Sequence, residues 1–279
     1  MKLRALLCLL LVLPLAAQPK SETLAERGLR QLVERQRALF ERMERNRGHL
    51  DEASARAQVE QITSGYEALL RDNPEFAAGY AAYGFMLRRI GMDKESAAML
   101  LKANQLDPDI PLVKNQLGNF LAEQGRPLEA VNYFIAAIKL APAEPLYHYQ
   151  LGTLLYEARD DFLKSGDWTA EALEKAMHEA FRQAAELAPD RIEFTYRYAE
   201  SFYDLRQPDW EAALAAWGKL EEQARSPAEQ QTMRLHAANI FIKMGRAEHA
   251  RLLLSTITEP HLEAQKQKLV AQLDAANDK

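Results

Sequence analysis

PLVKNQLGNFLAEQGRPLEAVNYFIAAIKLAPAE, residues 111–144, holds two helix signals separated by one turn signal. Leu117 and Leu121 stand four apart before Gly125, and Ile135 and Ile138 stand three apart before Pro142. Those steps gather apolar side chains on one face of a helix. Gly125 suits the left-handed backbone that ends a helix, and Pro142 stops the one after it. Gly118 and Ala130 are small where the two helices of a hairpin must approach closely. One hairpin cannot cover its own apolar face, so the unit requires stacked neighbours.

The neighbours recur at a fixed interval of 34 residues: Pro74, Pro108 and Pro142; Gly84, Gly118 and Gly152; Gly91 and Gly125; Ala103 and Ala137. The unit before carries Tyr80, Gly84, Gly91, Leu100, Ala103 and Pro108 in matching places, with Ser96 at a small-residue position. The unit after begins at Pro145 with Leu151-Gly152 and ends with Phe181, Ala184 and Pro189. From Pro142 to Pro189 is 47 residues, which leaves 13 beyond the period. They fall in ARDDFLKSGDWTAEALEKA, residues 158–176, where Ser165-Gly166-Asp167 reads as a turn flanked by Phe162 and Trp168. The expectation is that both helices of this unit are lengthened by about one to two turns each and project beyond the stack. Two degenerate units follow, one from Ile192 with Ala199, Ala213, Trp217 and Leu220, the other with Ala238, Gly245, Ala250 and Leu254.

The order Leu-Gly, Ala, aromatic, Ala and Pro in the unit 111–144 resembles the tetratricopeptide repeat. The resemblance covers 77–259 well and 22–74 loosely. It implies an all-α fold, a right-handed superhelical stack of helix hairpins. Residues 18–76 form an N-terminal helical pair, including a divergent first repeat marked by Tyr66, Leu69 and Pro74. Residues 77–259 form the array, with the insertion near 159–172, and 260–279 form a polar-faced capping helix. The resemblance also implies a non-catalytic protein that holds a protein or peptide partner on the concave side, which the first helix of each unit lines. Carried over unit by unit, the groove-facing positions of the family fall on Phe85, Arg88 and Arg89, and then on Asn115, Asn119 and Glu123. Tyr149, Thr153 and Tyr156 come from the third unit, Tyr196, Glu200 and Tyr203 from the fourth, and Asn239 from the last. A groove lined by tyrosine and asparagine suits an extended peptide or helix of mixed chemistry. Some family members clamp a C-terminal carboxylate with a lysine and arginine set; Asn119 and Arg197 match parts of it, while Asn115 and Glu193 stand where lysines belong.

Composition agrees with a globular chain: 48% of the 279 residues are hydrophobic and 27% charged, above the range of a disordered segment. Thirty-five basic and 40 acidic residues are interspersed, for a net charge of -5, which disfavours a nucleic-acid partner. The N-terminus has Lys2 and Arg4, an apolar run over 5–13, Pro14, and small Ala16 and Ala17, the layout of a signal peptide over 1–17. The expected location is therefore outside the cytoplasm, periplasmic or secreted, without stable membrane insertion once the signal is removed. A membrane anchor is the alternative, but apolar residues through Ala17 rise only about 20 Å as a helix against about 30 Å of hydrocarbon. Lipidation is another, but Cys8, the single cysteine, follows Leu7 inside the run instead of ending it. A mature chain without cysteine has no disulfide framework or thiolate metal site.

No metal and no cofactor are expected. None of the six histidines stands three or four from another, and the sequence has no glycine-rich phosphate loop, no nucleophile elbow and no cysteine nucleophile after the leader. The leading expectation is a scaffold of the cell envelope. The alternatives are an accessory or substrate-recognising subunit of an envelope or cell-wall enzyme, and an enzyme whose site is formed by the Phe162 to Trp168 insertion.

Overall fold

A computed structural model describes residues 22–45 and 51–277 of the chain. The leader expected over 1–17 lies outside the described residues. Among the described residues there are fourteen α-helices, two short 3-10 turns and no strand. In chain order they are α1 (Leu24–Arg45), α2 (Glu52–Asp72), α3 (Ala77–Arg89), α4 (Asp93–Leu106), α5 (Pro111–Glu123), α6 (Pro127–Leu140), α7 (Pro145–Glu157) and α8 (Arg159–Ser165). Then follow α9 (Ala170–Leu187), α10 (Ile192–Ser201), α11 (Trp210–Gln223), α12 (Pro227–Lys243), α13 (Ala247–Ser255) and α14 (Glu263–Asn277). Six hairpins result, α1 with α2, α3 with α4, α5 with α6, α7 with α9, α10 with α11 and α12 with α13. From α2 on, each second helix packs on the first helix of the next hairpin, which makes an α-solenoid.

Local chemistry sets the helix ends. Gly125 takes φ +71°, its N–H donates to Ala122 O at 2.9 Å, and the Arg126 N–H reaches back to Leu121 O at 2.9 Å. That pair of bonds satisfies carbonyls that the end of α5 leaves open. Prolines at the starts of α5, α6, α7 and α12 supply a preset φ where no N–H is needed. Close packing explains the other periodic glycines. A Cβ on Gly118 would lie 2.9 Å from the Phe134 ring, and one on Gly152 would lie 2.8 Å from Phe181. Ser96 fits the small-residue position because its hydroxyl, fully buried, donates to Gly84 O at 2.8 Å.

Two expectations change. Ile135 is 36% exposed, and the buried stripe of α6 is Ala130, Val131, Phe134 and Ala137, one residue or about 100° away. The insertion does not project. α7 keeps the 13 residues of α5, and α9 alone is longer, at 18 residues against 14 in α6. Between them α8 ends at Gly166 with φ +80° and turns Phe162 into the core formed by Ala130, Val131, Leu155 and Leu173. Trp168 meets the Phe162 ring edge-on at 5.6 Å. Burying one such ring favours the docked position of the seven-residue helix by roughly 2–3 kcal/mol.

The ends of the array are covered. Tyr66 of α2 stacks on Tyr83 of α3 at 5.2 Å, and Leu269 and Leu273 of α14 close over Leu235, Ala238 and Leu254. Among the described residues no helix is long and apolar enough to cross a membrane.

Candidate functional site

The expected groove residues separate into three places. The first is packing between units: Phe85 lies against Ala81, Leu100, Val113 and Leu117, and Asn115 is fully buried. Periodicity puts Asn115 on the groove wall, but the structure encloses it, and neither end of its carboxamide has a hydrogen-bond partner. Arg88 is likewise occupied, paired with Asp93 at 2.8 Å and with Glu123 of the next unit, so it ties α3 to α5.

The second place is a histidine-centred cluster near the C-terminal end. His236 of α12 stacks flat on Trp217, with ring centres 3.8 Å apart and planes 1° from parallel. Tyr196 OH lies 3.2 Å from His236 Nε2, and Tyr203 OH lies 3.4 Å from Nδ1 while donating to the His236 carbonyl at 3.3 Å. A neutral ring with its proton on Nδ1 satisfies all three contacts. Burial pushes the imidazole down to about 4 and the Tyr203 phenol up to about 12. Asn239 lies beside the Tyr203 hydroxyl. Tyr196, Tyr203 and Asn239 therefore hold α10, α11 and α12 together, and their contacts are largely with one another. Glu200, on the same turn of α10, is raised by burial and stands 3.6 Å from Arg197.

The third place is a cleft of about 480 Å³ between α5, the start of α6, α7 and α8. Asn119 and Glu123 form one wall, and Tyr149, Gln150, Thr153 and Glu157 the other. Asp161 of α8 lines it as well. Phe181 and Phe194 support the Tyr149 ring at 5.9 and 4.7 Å, which holds it rigidly at the cleft edge, and burial raises its phenol. Beside the cleft, Tyr156 is 46% exposed and takes the Arg197 guanidinium over its face at 4.0 Å, with Phe181 on the other side at 4.6 Å. Groove and insertion, distinct surfaces in the sequence, thus meet at one concavity.

Gln150 and Asp161 are the members that the repeat pattern misses: Gln150 sits one residue beyond a groove position, and Asp161 lies inside the insertion, where no repeat template applies, whereas Glu157, the last residue of α7, stands one 34-residue period after Glu123. Among the described residues no three His, Cys, Asp or Glu side chains are grouped to hold a metal ion.

A family model described as tetratricopeptide repeat matches residues 113–144. That span is α5 and α6, the hairpin with Gly118 against Phe134. The chain is built from tetratricopeptide repeats. A TPR repeat-containing protein of Treponema pallidum (strain Nichols) is 30% identical over 136 residues, 49% of this chain. The chain spans only 16% of that protein's length. Among solved structures, YrrB, described as a TPR protein with an unusual peptide-binding site, has a TM-score of 0.57 at 17% identity over 77% of this chain and 98% of its own. PilF of Pseudomonas aeruginosa has a TM-score of 0.58 at 15% identity over 89% and 99%. PilW, a type IV pilus biogenesis factor, has a TM-score of 0.53 at 14% identity over 90% and 100%. At these identities the likeness to the solved structures is one of fold. Tetratricopeptide folds generally mediate protein binding.

Proposed function

We propose that this chain is an exported, non-catalytic scaffold of the cell envelope that holds an extended segment of a partner protein. The observation that carries the reading is the cleft in which Asn119, Tyr149 and Thr153 of the groove meet Asp161 of the insertion. A rigid aromatic edge beside an amide and a hydroxyl offers apolar contact and main-chain hydrogen bonds together, as peptide recognition requires. Export rests on Lys2, Arg4, the apolar run over 5–13 and the small Ala16 and Ala17. The description of YrrB as having a peptide-binding site, and of PilW as a pilus biogenesis factor, gives this reading precedents on the same fold.

Affinity capture from the envelope fraction tests it. Both Asn119 and Thr153 are partly exposed, so Asn119→Ala with Thr153→Ala leaves the helices intact. The expected result is partner retention reduced by about tenfold or more, since a few central contacts carry most of a binding interface. Equal retention by wild type and double variant removes the cleft from the account.

A further inference from the structure

An imidazole holds α10 from each side. From α9, His178 packs on the Tyr198 and Phe202 rings at 5.2 and 4.5 Å, and its Nδ1 lies 2.7 Å from the Oγ of fully buried Ser201. Ser201 donates to Tyr198 O at 2.7 Å, so its oxygen accepts from His178 and the ring proton sits on Nδ1. From α12, His236 stacks on Trp217 and accepts the Tyr196 hydroxyl on Nε2. A second proton on that ring would meet the hydrogen that Tyr196 donates, and the bond would be lost.

The ring nitrogens bond hydroxyls, not carboxylates. Around His178 the charged groups are Glu179 and Arg182 of its own helix, paired with each other at 2.6 Å. Glu186 and Asp209 face Tyr198, and Glu186 is bonded to Arg182 at 2.5 Å. Around His236 stand Lys243, over Tyr203 and Trp210 at 6.0 and 5.4 Å, Glu200 near both tyrosines, and Arg234, paired with Glu221 at 2.6 Å. Burial pushes both imidazoles down, His236 to about 4. Opening α10 returns both rings to the ordinary value of 6.5, so the closed form is fully favoured above that pH and loses ground as pH falls toward the closed-state values. Glu200 and Asp204, which burial raises, act in the opposite sense and offset part of the loss.

α10 also carries supports of the groove. Phe194 lies 4.7 Å from the Tyr149 ring, and the Arg197 guanidinium lies over Tyr156 at 4.0 Å. We propose that α10 is an acid-released joint: protons taken up by His178 and His236 free it from α9 and α12, the α11–α14 end turns away from α1–α9, and Phe194 and Arg197 leave the groove tyrosines. The bond from the Arg206 N–H to Glu174, 3.1 Å, involves no imidazole and serves as the pivot. The motion needs no partner; its consequence, weaker holding in acid, rests on the groove reading above.

Residues 18–279 contain no cysteine. Ile135→Cys and Leu252→Cys, exposed positions on α6 and α13, therefore carry a pair of spin labels whose separation reports the joint. The expected result is a narrow distance distribution at pH 7 and a broad one at pH 5, with the ratio of closed to open forms lowered about tenfold or more. His178→Gln/His236→Gln should stay narrow at both, and each single variant should fall between. Hydrogen exchange over α7, corrected for its intrinsic rate, should rise as the wild-type distribution broadens. An unchanged wild-type distribution, or equal broadening in wild type and double variant, overturns the joint. Should the double variant lose its helical circular dichroism, the wild-type imidazole resonances decide: both rings titrating near 6.5 while the distribution stays narrow overturns the joint, and both staying neutral until it broadens supports it. Broadening without any change over α7 overturns the link to the groove. Since no readout contains a partner, failure here is separate from failure of the groove reading, which the capture experiment decides.

Discussion

Replacing His236 with Gln is the perturbation whose size follows most directly from the structure. The ring is buried flat against Trp217, and burial holds its pKa at about 4, against an ordinary value of 6.5. Between those values the unfolded chain binds a proton that the folded chain refuses. Stability is therefore intact above pH 6.5, falls as pH drops toward 4, and levels off below it. Taking the two pKa values, the folded state loses about 2 kcal/mol between pH 7 and pH 5, and about 3 kcal/mol by pH 4. Gln offers a donor and an acceptor to Tyr196 and Tyr203 but does not titrate, so it removes this slope while costing some packing against Trp217. Repeat arrays open locally, so hydrogen exchange over α10 to α12 is a better readout than one global melt. Wild type should lose about a factor of 30 in local protection between pH 7 and pH 5, after correction for intrinsic exchange, and His236→Gln much less. Equal pH dependence in the two proteins would refute the buried neutral ring, and with it the assignment of Tyr196 and Tyr203 to packing.

Three further outcomes follow from the same physical reasoning. Gly125→Ala should cost about 1–2 kcal/mol through its positive φ alone, since nothing stands within 4 Å of the added Cβ. Gly218→Ala, also in open space but inside α11, should instead gain about 0.5–1 kcal/mol; thermal melts of the two variants must shift in opposite directions. Phe162→Ala should cost about 3–5 kcal/mol and free α8, seen as loss of exchange protection over 159–165 while α5 and α6 keep theirs.

How far the sequence speaks depends on whether a physical requirement appears as a residue identity at a fixed interval. Gly118 against Phe134 and the positive φ of Gly125 do, because no other residue fits those backbones, and the period exposes them. Ile135 was displaced by a single residue, since three-residue and four-residue steps leave the centre of a helical stripe uncertain by about 100°. Groove positions are harder. A helical step places Tyr196 on the inner side of α10, and Tyr203 on the 3-10 turn that follows it, but cannot say that His236, forty residues after Tyr196, will cover them. Nor can it foresee that Asn115 is enclosed. The insertion reads as a charged projection because ARDDFLKS has one apolar pair, yet the burial of Phe162 alone decides where it lies. Its docking in turn places Asp161 at the cleft, which is why Asp161 carries no signal in a repeat template, while Glu157 follows Glu123 by one period.

The central claim is that the partner enters the cleft formed by α5, α7 and α8. Site-specific photo-crosslinking in intact cells tests it most directly, with the reactive side chain placed at 119 or 153 in the cleft, or at 101 or 135 on the outward faces of α4 and α6, where Leu101 and Ile135 are 46% and 36% exposed. One crosslinked product that forms from 119 and 153 and is absent from 101 and 135 is the result the account predicts. Crosslinks from 101 or 135 with none from the cleft would contradict it.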